Sequence, residues 1–275
     1  MKNRIKFLMP ALLFLNSCAQ SDPEDVLGRI GDKVNFSGYT WDIKSNEYPV
    51  GPGPNYFSGY YSDVFTDEHG YLHLRIAEHD GKWYSTEVIT EQNLGYGKYV
   101  FVVQADLENI PENTVLGLFT WDNNTFYEAA NSEVDIEFSK WGDTLNPNTM
   151  NYSVQPVNFG TFYPERTNNA VAEPGALIGV TTHTFNWTDT LITWKSYSGD
   201  SESDENLIAE WSFDLDHPGR IKTEDGNSSL PIVIPSPGAT TNARINYWIL
   251  PWVSASPTDG LEQEVVIRRF SYTAM

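Results

Sequence analysis

Cysteine occurs once in the 275 residues, at Cys18, so no intrachain disulfide is available and the fold must hold by packing and hydrogen bonding. Histidine occurs five times, and the chain contains no H-E-x-x-H, C-x-x-C or G-x-S-x-G pattern. Zinc proteolysis and serine esterase chemistry therefore lack their parts. Basic residues are also scarce: 17 Lys and Arg stand against 37 Asp and Glu, a net charge of −20. That field excludes nucleic acid and anionic membrane surfaces as partners. No internal repeat, no long amphipathic helical pattern and no apolar run of spanning length interrupts the chain.

The one compact apolar run lies at the start. Lys2, Arg4 and Lys6 form a positive n-region, Phe7 to Leu15 an apolar core, and Leu15-Asn16-Ser17-Cys18 ends it. This ending resembles a bacterial lipobox, which implies a signal peptide over 1–17 and lipidation of Cys18; a free thiol or an intermolecular bridge is the other reading of a leftover cysteine. Two or three acyl chains, at about 0.8 kcal/mol per buried CH₂, would fix the protein to a membrane outside the cytoplasm. Residues 18–33 read as a lipidated tether. Its acidic Ser21-Asp22-Pro23-Glu24-Asp25 is similar to surface-export signals of outer-membrane lipoproteins, and equally to a plain solvated linker.

Residues 34–275 form one domain in this reading. Period-two apolar patterns predict strands near 37–43, 70–78, 82–90, 96–105, 114–121, 132–138, 148–156, 181–187, 190–198, 206–213, 230–235, 243–250 and 263–273. Turn signals such as Asp80-Gly81 and Ser198-Gly199-Asp200 separate them. Many short strands of this spacing predict an all-β sandwich or jelly roll, with long loops at 44–60, 122–131 and 157–179 as walls of a site. Aromatics are abundant, at 14% of residues with nine Trp and fifteen Tyr. Some must build the core, and others suit the stacking of sugar rings.

One stretch stands out, Glu133-Val134-Asp135-Ile136-Glu137-Phe138, where acid and apolar residues alternate strictly. Composition alone gives about 0.04 such windows in a chain of this length. On a strand the three acids share one face, and their mutual repulsion is a cost without benefit to folding. A solvated edge face is the plain reading. The chemical reading is glycoside hydrolysis, which needs two carboxylates across a short gap. Residues four apart on a strand have Cα atoms about 13 Å apart. Two inward-leaning Glu side chains then approach the roughly 5–5.5 Å of a retaining enzyme.

These residues resemble the cleft strand of glycoside hydrolase family 16, in the spacing of its lichenases and κ-carrageenases. The resemblance implies a concanavalin-like β-jelly-roll sandwich of two antiparallel sheets, with the substrate cleft on the concave face. It implies Glu133 as nucleophile, Glu137 as acid/base and Asp135 as the residue that hydrogen-bonds and tunes the nucleophile. Ser85-Thr86-Glu87-Val88 with Gly95-Tyr96-Gly97-Lys98-Tyr99 extends the likeness and implies Glu87 as a sugar contact. Leu118-Phe119-Thr120-Trp121, Met150-Asn151-Tyr152-Ser153-Val154-Gln155 and Ile245-Asn246-Tyr247-Trp248 likewise imply Trp121, Gln155, Asn246 and Trp248 as cleft residues. His183-Thr184-Phe185-Asn186-Trp187 matches a strand read as structural. Trp83 shares a strand face with Ser85 and Glu87, as a stacking platform or a core ring. The Gly51-Pro52-Gly53-Pro54-Asn55-Tyr56-Phe57 turn is expected to bring Asn55 and Tyr56 to a cleft wall.

The chain departs from the pattern in two places: Asn131-Ser132 replaces a Trp-Asp pair before the nucleophile, and Ile89 stands where the family has Arg. The implied activity is endo-acting cleavage of a β-linked polysaccharide, with no cofactor required, by a monomer. A structural Ca²⁺ is compatible with the family. Asp63, Asp67 and Glu68, which lack EF-hand spacing, read as solvated acids. A glycan-binding surface lipoprotein of the same fold, without catalysis, is the alternative.

Overall fold

The computed structural model describes residues 31–158, 161–222 and 229–275. The expected signal peptide, Cys18 and most of the expected tether lie outside these residues. Among the described residues eighteen strands make up nearly all the regular structure, and fifteen of them sort into two antiparallel layers.

The front sheet runs, in spatial order, β1 (Lys33–Phe36), β2 (Tyr39–Ile43), β6 (Lys82–Thr90), β17 (Asn242–Ile249), β8 (Thr114–Trp121), β9 (Val134–Phe138), β10 (Met150–Val154) and β11 (Thr167–Asn169). The back sheet runs β4 (Val64–Thr66), β5 (Leu72–His79), β18 (Gln263–Ala274), β7 (Gly97–Asp106), β12 (Ile178–Trp187), β13 (Ile192–Ser198) and β14 (Leu207–Phe213). The β5–β6 hairpin joins the layers. Its turn residues, Asp80 and Gly81, sit at φ 51° and 75°, the left-handed pair that such hairpins require. The two-residue β3 (Tyr56–Phe57) adds in parallel to β6, and β15 (Gly219–Lys222) pairs with β16 (Ser229–Ile232).

All thirteen expected strands have a counterpart, and the fold is the expected jelly-roll sandwich. The expected loops hold more structure than composition suggests: β3 lies in 44–60, a four-residue helix α1 (Phe126–Ala129) in 122–131, and β11 in 157–179. The fold also begins before residue 34, since Gly31 N donates to Gly59 O at 2.8 Å and Lys33 already pairs with Asp42.

Alternation explains the layering. Val134, Ile136 and Phe138 of β9 are fully buried, together with Leu116, Leu118, Ile245 and Tyr247 from neighbouring front strands. They meet Leu74, Phe101, Phe185, Trp194 and Phe270 from the back sheet in one core. The opposite face of the front sheet is thereby left for polar residues.

Candidate active site

Pairing across the front sheet assembles the site from strands distant in sequence. In one cross-strand row Glu87 faces Asn246, Asn246 faces Gly117, Gly117 faces Glu137 and Glu137 faces Asn151. In the next, Asp42 faces Ile89, Ile89 faces Arg244, Arg244 faces Phe119, Phe119 faces Asp135 and Asp135 faces Ser153. The face carrying these rows floors a groove of about 810 Å³ that Glu133, Asp135 and Glu137 all line.

The backbone before Glu133 is strained. Ala130, Asn131 and Ser132 have φ of 45°, 61° and 55°, three non-glycine residues in left-handed conformation, each costing on the order of 1–3 kcal/mol. The surroundings hold the turn in place. Asp122 N donates to Asn131 O at 2.6 Å, Asn131 Nδ2 returns a bond to Asp122 O at 3.0 Å, and Ser132 Oγ donates to Ser236 O at 2.7 Å. Asp122 is itself fixed by Thr240 Oγ1 at 2.7 Å and by Asn124 N at 2.9 Å. The Asn131-Ser132 departure therefore falls on a turn that aims Glu133, and Asn tolerates that conformation better than most residues.

Asp135 is 3% exposed and accepts hydrogen bonds from Ser153 Oγ at 2.7 Å and Gln155 Nε2 at 3.4 Å. From the back sheet Trp194 Nε1 donates to the Asp135 carbonyl at 3.0 Å, tying the strand to the core beneath it. Burial raises the Asp135 carboxyl to about 7, against the pull of its hydrogen bonds from Ser153, Gln155 and Glu133. Burial, reinforced by Asp135, raises Glu137 to about 8. Glu133 is pushed upward by burial and by the charges of Asp135 and Glu137, while Arg244 opposes the shift. Glu133 and Glu137 are half-buried and Asp135 is buried between them, and three carboxyls so close disfavour one another's ionisation at neutral pH.

Cations balance the far wall. Glu87 receives Arg244 Nη1 at 3.1 Å and Lys44 Nζ at 2.9 Å, and Lys44 also donates to Gly51 O at 2.6 Å. Arg244 lies over the Trp121 ring at 5.5 Å. Ile89, where the resemblance implies Arg, faces Arg244 of the adjacent strand, which brings a guanidinium to that part of the groove. The Asn246 Oδ1 is buried without a partner, and a Cβ at Gly117 would lie 2.4 Å from it. Glycine at 117 thus keeps the floor open beside Glu137.

Of the sequence-predicted contacts, Glu87, Trp121, Asn246 and Trp248 line the groove. Gln155 reaches the site through Asp135 and is held by Val157 N at 2.8 Å. Asn55, Tyr56 and Trp83 are not among the lining residues. Asn55 is buried and clamps the turn, its Nδ2 donating to Pro52 O at 2.7 Å and Ile249 O at 2.8 Å, which leaves Val50, Gly51 and Pro52 as the wall. Tyr56 packs on Tyr84, and Trp83 packs against the hydrophobic core. Asp63 is no solvated acid: it is fully buried and bonded to Ser58, Ser62 and His79. Asp67 caps its own turn through His69 N and Tyr71 N, so the three acids do not converge on a cation site.

Sequence reading passed over Asp42, Lys44, Gly117, Ser153 and Arg244. The alternation Arg244, Asn246, Trp248 carries the signal for one of them, and Asp42 and Lys44 likewise alternate with the buried Trp41 and Ile43.

No protein-family model and no curated protein sequence matches the chain. Solved structures do. A β-glucanase of Bacillus licheniformis superposes with a TM-score of 0.56 at 16% identity, covering 90% of this chain and all of that one, 100%. A non-specific endo-β-1,3(4)-glucanase from family 16 gives 0.57 at 13% identity, over 86% and 84% of the two chains. An immunostimulatory antigen and pseudo β-1,3-glucanase of Mycobacterium tuberculosis gives 0.58 at 14%, over 85% and 91%. The chain has the fold of the family 16 glycoside hydrolases.

Proposed function

We propose that this protein is an endo-acting, retaining glycoside hydrolase that cleaves a β-linked polysaccharide, a β-glucan or a related galactan, by double displacement. One observation carries the reading: Glu133 and Glu137 flank Asp135 along one strand face, within a groove built from β2, β6, β17, β8 and β9. A groove spanning several strands suits an internal stretch of polymer.

In the first step the Glu133 carboxylate attacks the anomeric carbon, the glycosidic C–O bond breaks, and the leaving oxygen takes the proton of Glu137. In the second, Glu137 removes a proton from water, whose oxygen displaces Glu133 from the glycosyl-enzyme. The raised pKa of Glu137, about 8, keeps it protonated at neutral pH for the first step. Glu133 attacks as the anion, a state that Arg244 favours electrostatically and that a protonated Asp135 beside it would also favour. Neither step calls for a cofactor. We further propose that Cys18 is lipidated and holds the enzyme at the outer membrane or cell surface.

The test is reducing-end release from mixed-linkage β-glucan, laminarin, agarose, carrageenan and xyloglucan. Wild type releases products from at least one of them, and Glu133→Gln and Glu137→Gln each fall by about 10²–10⁴-fold. Equal activity in all three proteins removes the mechanism. A second reading, a surface glycan-binding protein without catalysis, is favoured by the upward push on Glu133 and by the fold shared with a pseudo-glucanase. Wild-type binding with no products after prolonged incubation would select it.

A further inference from the structure

Tryptophan is the residue a folded chain hides most readily behind its own core, and of the nine here only Trp141 and Trp252 are largely exposed, at 41% and 65%. They stand at the same place. Trp141 follows β9, Trp252 follows β17, and each meets Trp248 edge to face, with ring centroids 6.4 and 6.2 Å away. Trp248 itself lines the groove. Trp248 is only 7% exposed, so the exposed shelf is made by Trp141 and Trp252, braced edge to face on Trp248 and running from the groove wall out to the surface.

The loops that present the shelf are fixed. Trp141 sits at φ 54°, a left-handed conformation that bulky residues seldom adopt, and its N–H is capped by Ser139 Oγ at 2.9 Å. Gly142 follows at φ 82° against Val253, where a Cβ would lie 2.8 Å from Cγ2, so the two loops interlock only through a glycine. The buried Asn113 holds the second loop, its Nδ2 donating to Ser256 O at 2.8 Å and its carbonyl oxygen accepting from Leu250 N at 2.7 Å. Pre-set exposed rings of this kind cost little ordering entropy on binding.

We propose that Trp141 and Trp252, braced on Trp248 of the groove wall, form an additional sugar-binding platform, which stacks pyranose rings of the same neutral polysaccharide beyond the catalytic groove. The proposal rests on the reading of that groove as a polysaccharide site, with which the shelf is continuous. Rings of this size present apolar faces matched to the C–H faces of β-linked pyranoses and carry no charge requirement. A lipid surface is the competing partner for exposed tryptophans, and the net charge of −20 opposes an anionic one.

The experiment is affinity electrophoresis in gels containing mixed-linkage β-glucan, laminarin or agarose, with hydrolysis followed in parallel. Trp141→Ala, Trp252→Ala and the double variant are compared with Phe162→Ala, an exposed aromatic away from the shelf. Retardation of wild type that falls at least about 10-fold in apparent affinity in the double variant, and persists in Phe162→Ala, supports the platform. Oxidation by N-bromosuccinimide gives a second readout on the unaltered protein: polysaccharide should slow modification of Trp141 and Trp252 in mapped peptides. Hydrolysis with unchanged retardation in the double variant overturns the platform and leaves the hydrolase standing. Retardation lost in the double variant, with no hydrolysis by wild type, keeps the platform and removes the hydrolase. Absence of both binding and hydrolysis removes both, and shelf-dependent partition into zwitterionic vesicles without polysaccharide binding replaces the platform with a membrane contact.

Discussion

At Glu137 the needs of the site and of the fold diverge. Its carboxyl titrates near 8 in the folded protein, against an ordinary value near 4.5 once unfolded. Between these values the folded chain holds a proton that the unfolded chain has released, so stability falls as pH rises from about 4.5 to about 8. Glu137→Gln keeps the neutral shape and removes the titration. It should therefore raise stability at pH 8 by roughly 1–3 kcal/mol while changing it little at pH 4, as urea unfolding at the two pH values would read. A variant no more stable than wild type at pH 8 would mean that Glu137 is not held proton-bound. In the proposed mechanism the same group would set the alkaline limb, with kcat/KM expected to fall above about pH 8 as the acid is lost. The alternation of Glu133, Asp135 and Glu137 made this face legible in sequence. Arg244 was not legible as the neighbour of Ile89, because only strand pairing brings residues so far apart in the chain side by side.

Among elements, the end of β10 is held by one side chain. Arg166 is fully buried and spends its donors on the carbonyls of Val154 at 3.2 Å, His217 at 2.6 Å, Gln155 at 2.9 Å and Val233 at 2.8 Å. Its plane also lies 4.9 Å from the Phe213 ring, and burial lowers its pKa to about 10. These bonds join the 157–166 loop, the β15 approach and the segment after β16 to the strand whose Ser153 and Gln155 hold Asp135. Arg166→Met keeps the apolar stem and strands the four carbonyls. Its expected cost is about 3–5 kcal/mol. At roughly 2–4 °C per kcal/mol for a domain of this size, calorimetry should find a Tm lower by about 10 °C. An unchanged Tm would mean that water satisfies those carbonyls as well as the guanidinium does. The sequence placed β10 within two residues at each end, yet gave no sign of Arg166, since a lone arginine in a loop has no periodicity to read.

For the whole molecule, the net charge of −20 bears on the proposed anchor at Cys18: an acidic domain would be held at a membrane by acyl chains rather than adsorbed on it. Expressed in a bacterial host, the full chain should partition with the membrane fraction and resist extraction by high salt, and Cys18→Ala should move it to the soluble fraction. Wild type found wholly soluble, or released by salt alone, would remove the anchor. The two-layer sandwich follows from composition and turn spacing, because strands with one apolar face can bury it only against another such face. Which strands would neighbour one another did not follow, since β17 and β18 return from the end of the chain to pair in different sheets.

Local periodicity and residue chemistry, both readable along the chain, determined the strands, the single acidic face and the kind of reaction it suits. Tertiary structure decided the rest: that Asn55 clamps the turn behind the groove wall, that Arg244 lies across the sheet from Ile89, and that two exposed tryptophans from separate loops meet Trp248 at the groove. The physical reason is range. Alternation acts between residues two apart, whereas register and loop packing join residues separated by a hundred or more, and no local pattern encodes which pairs will meet.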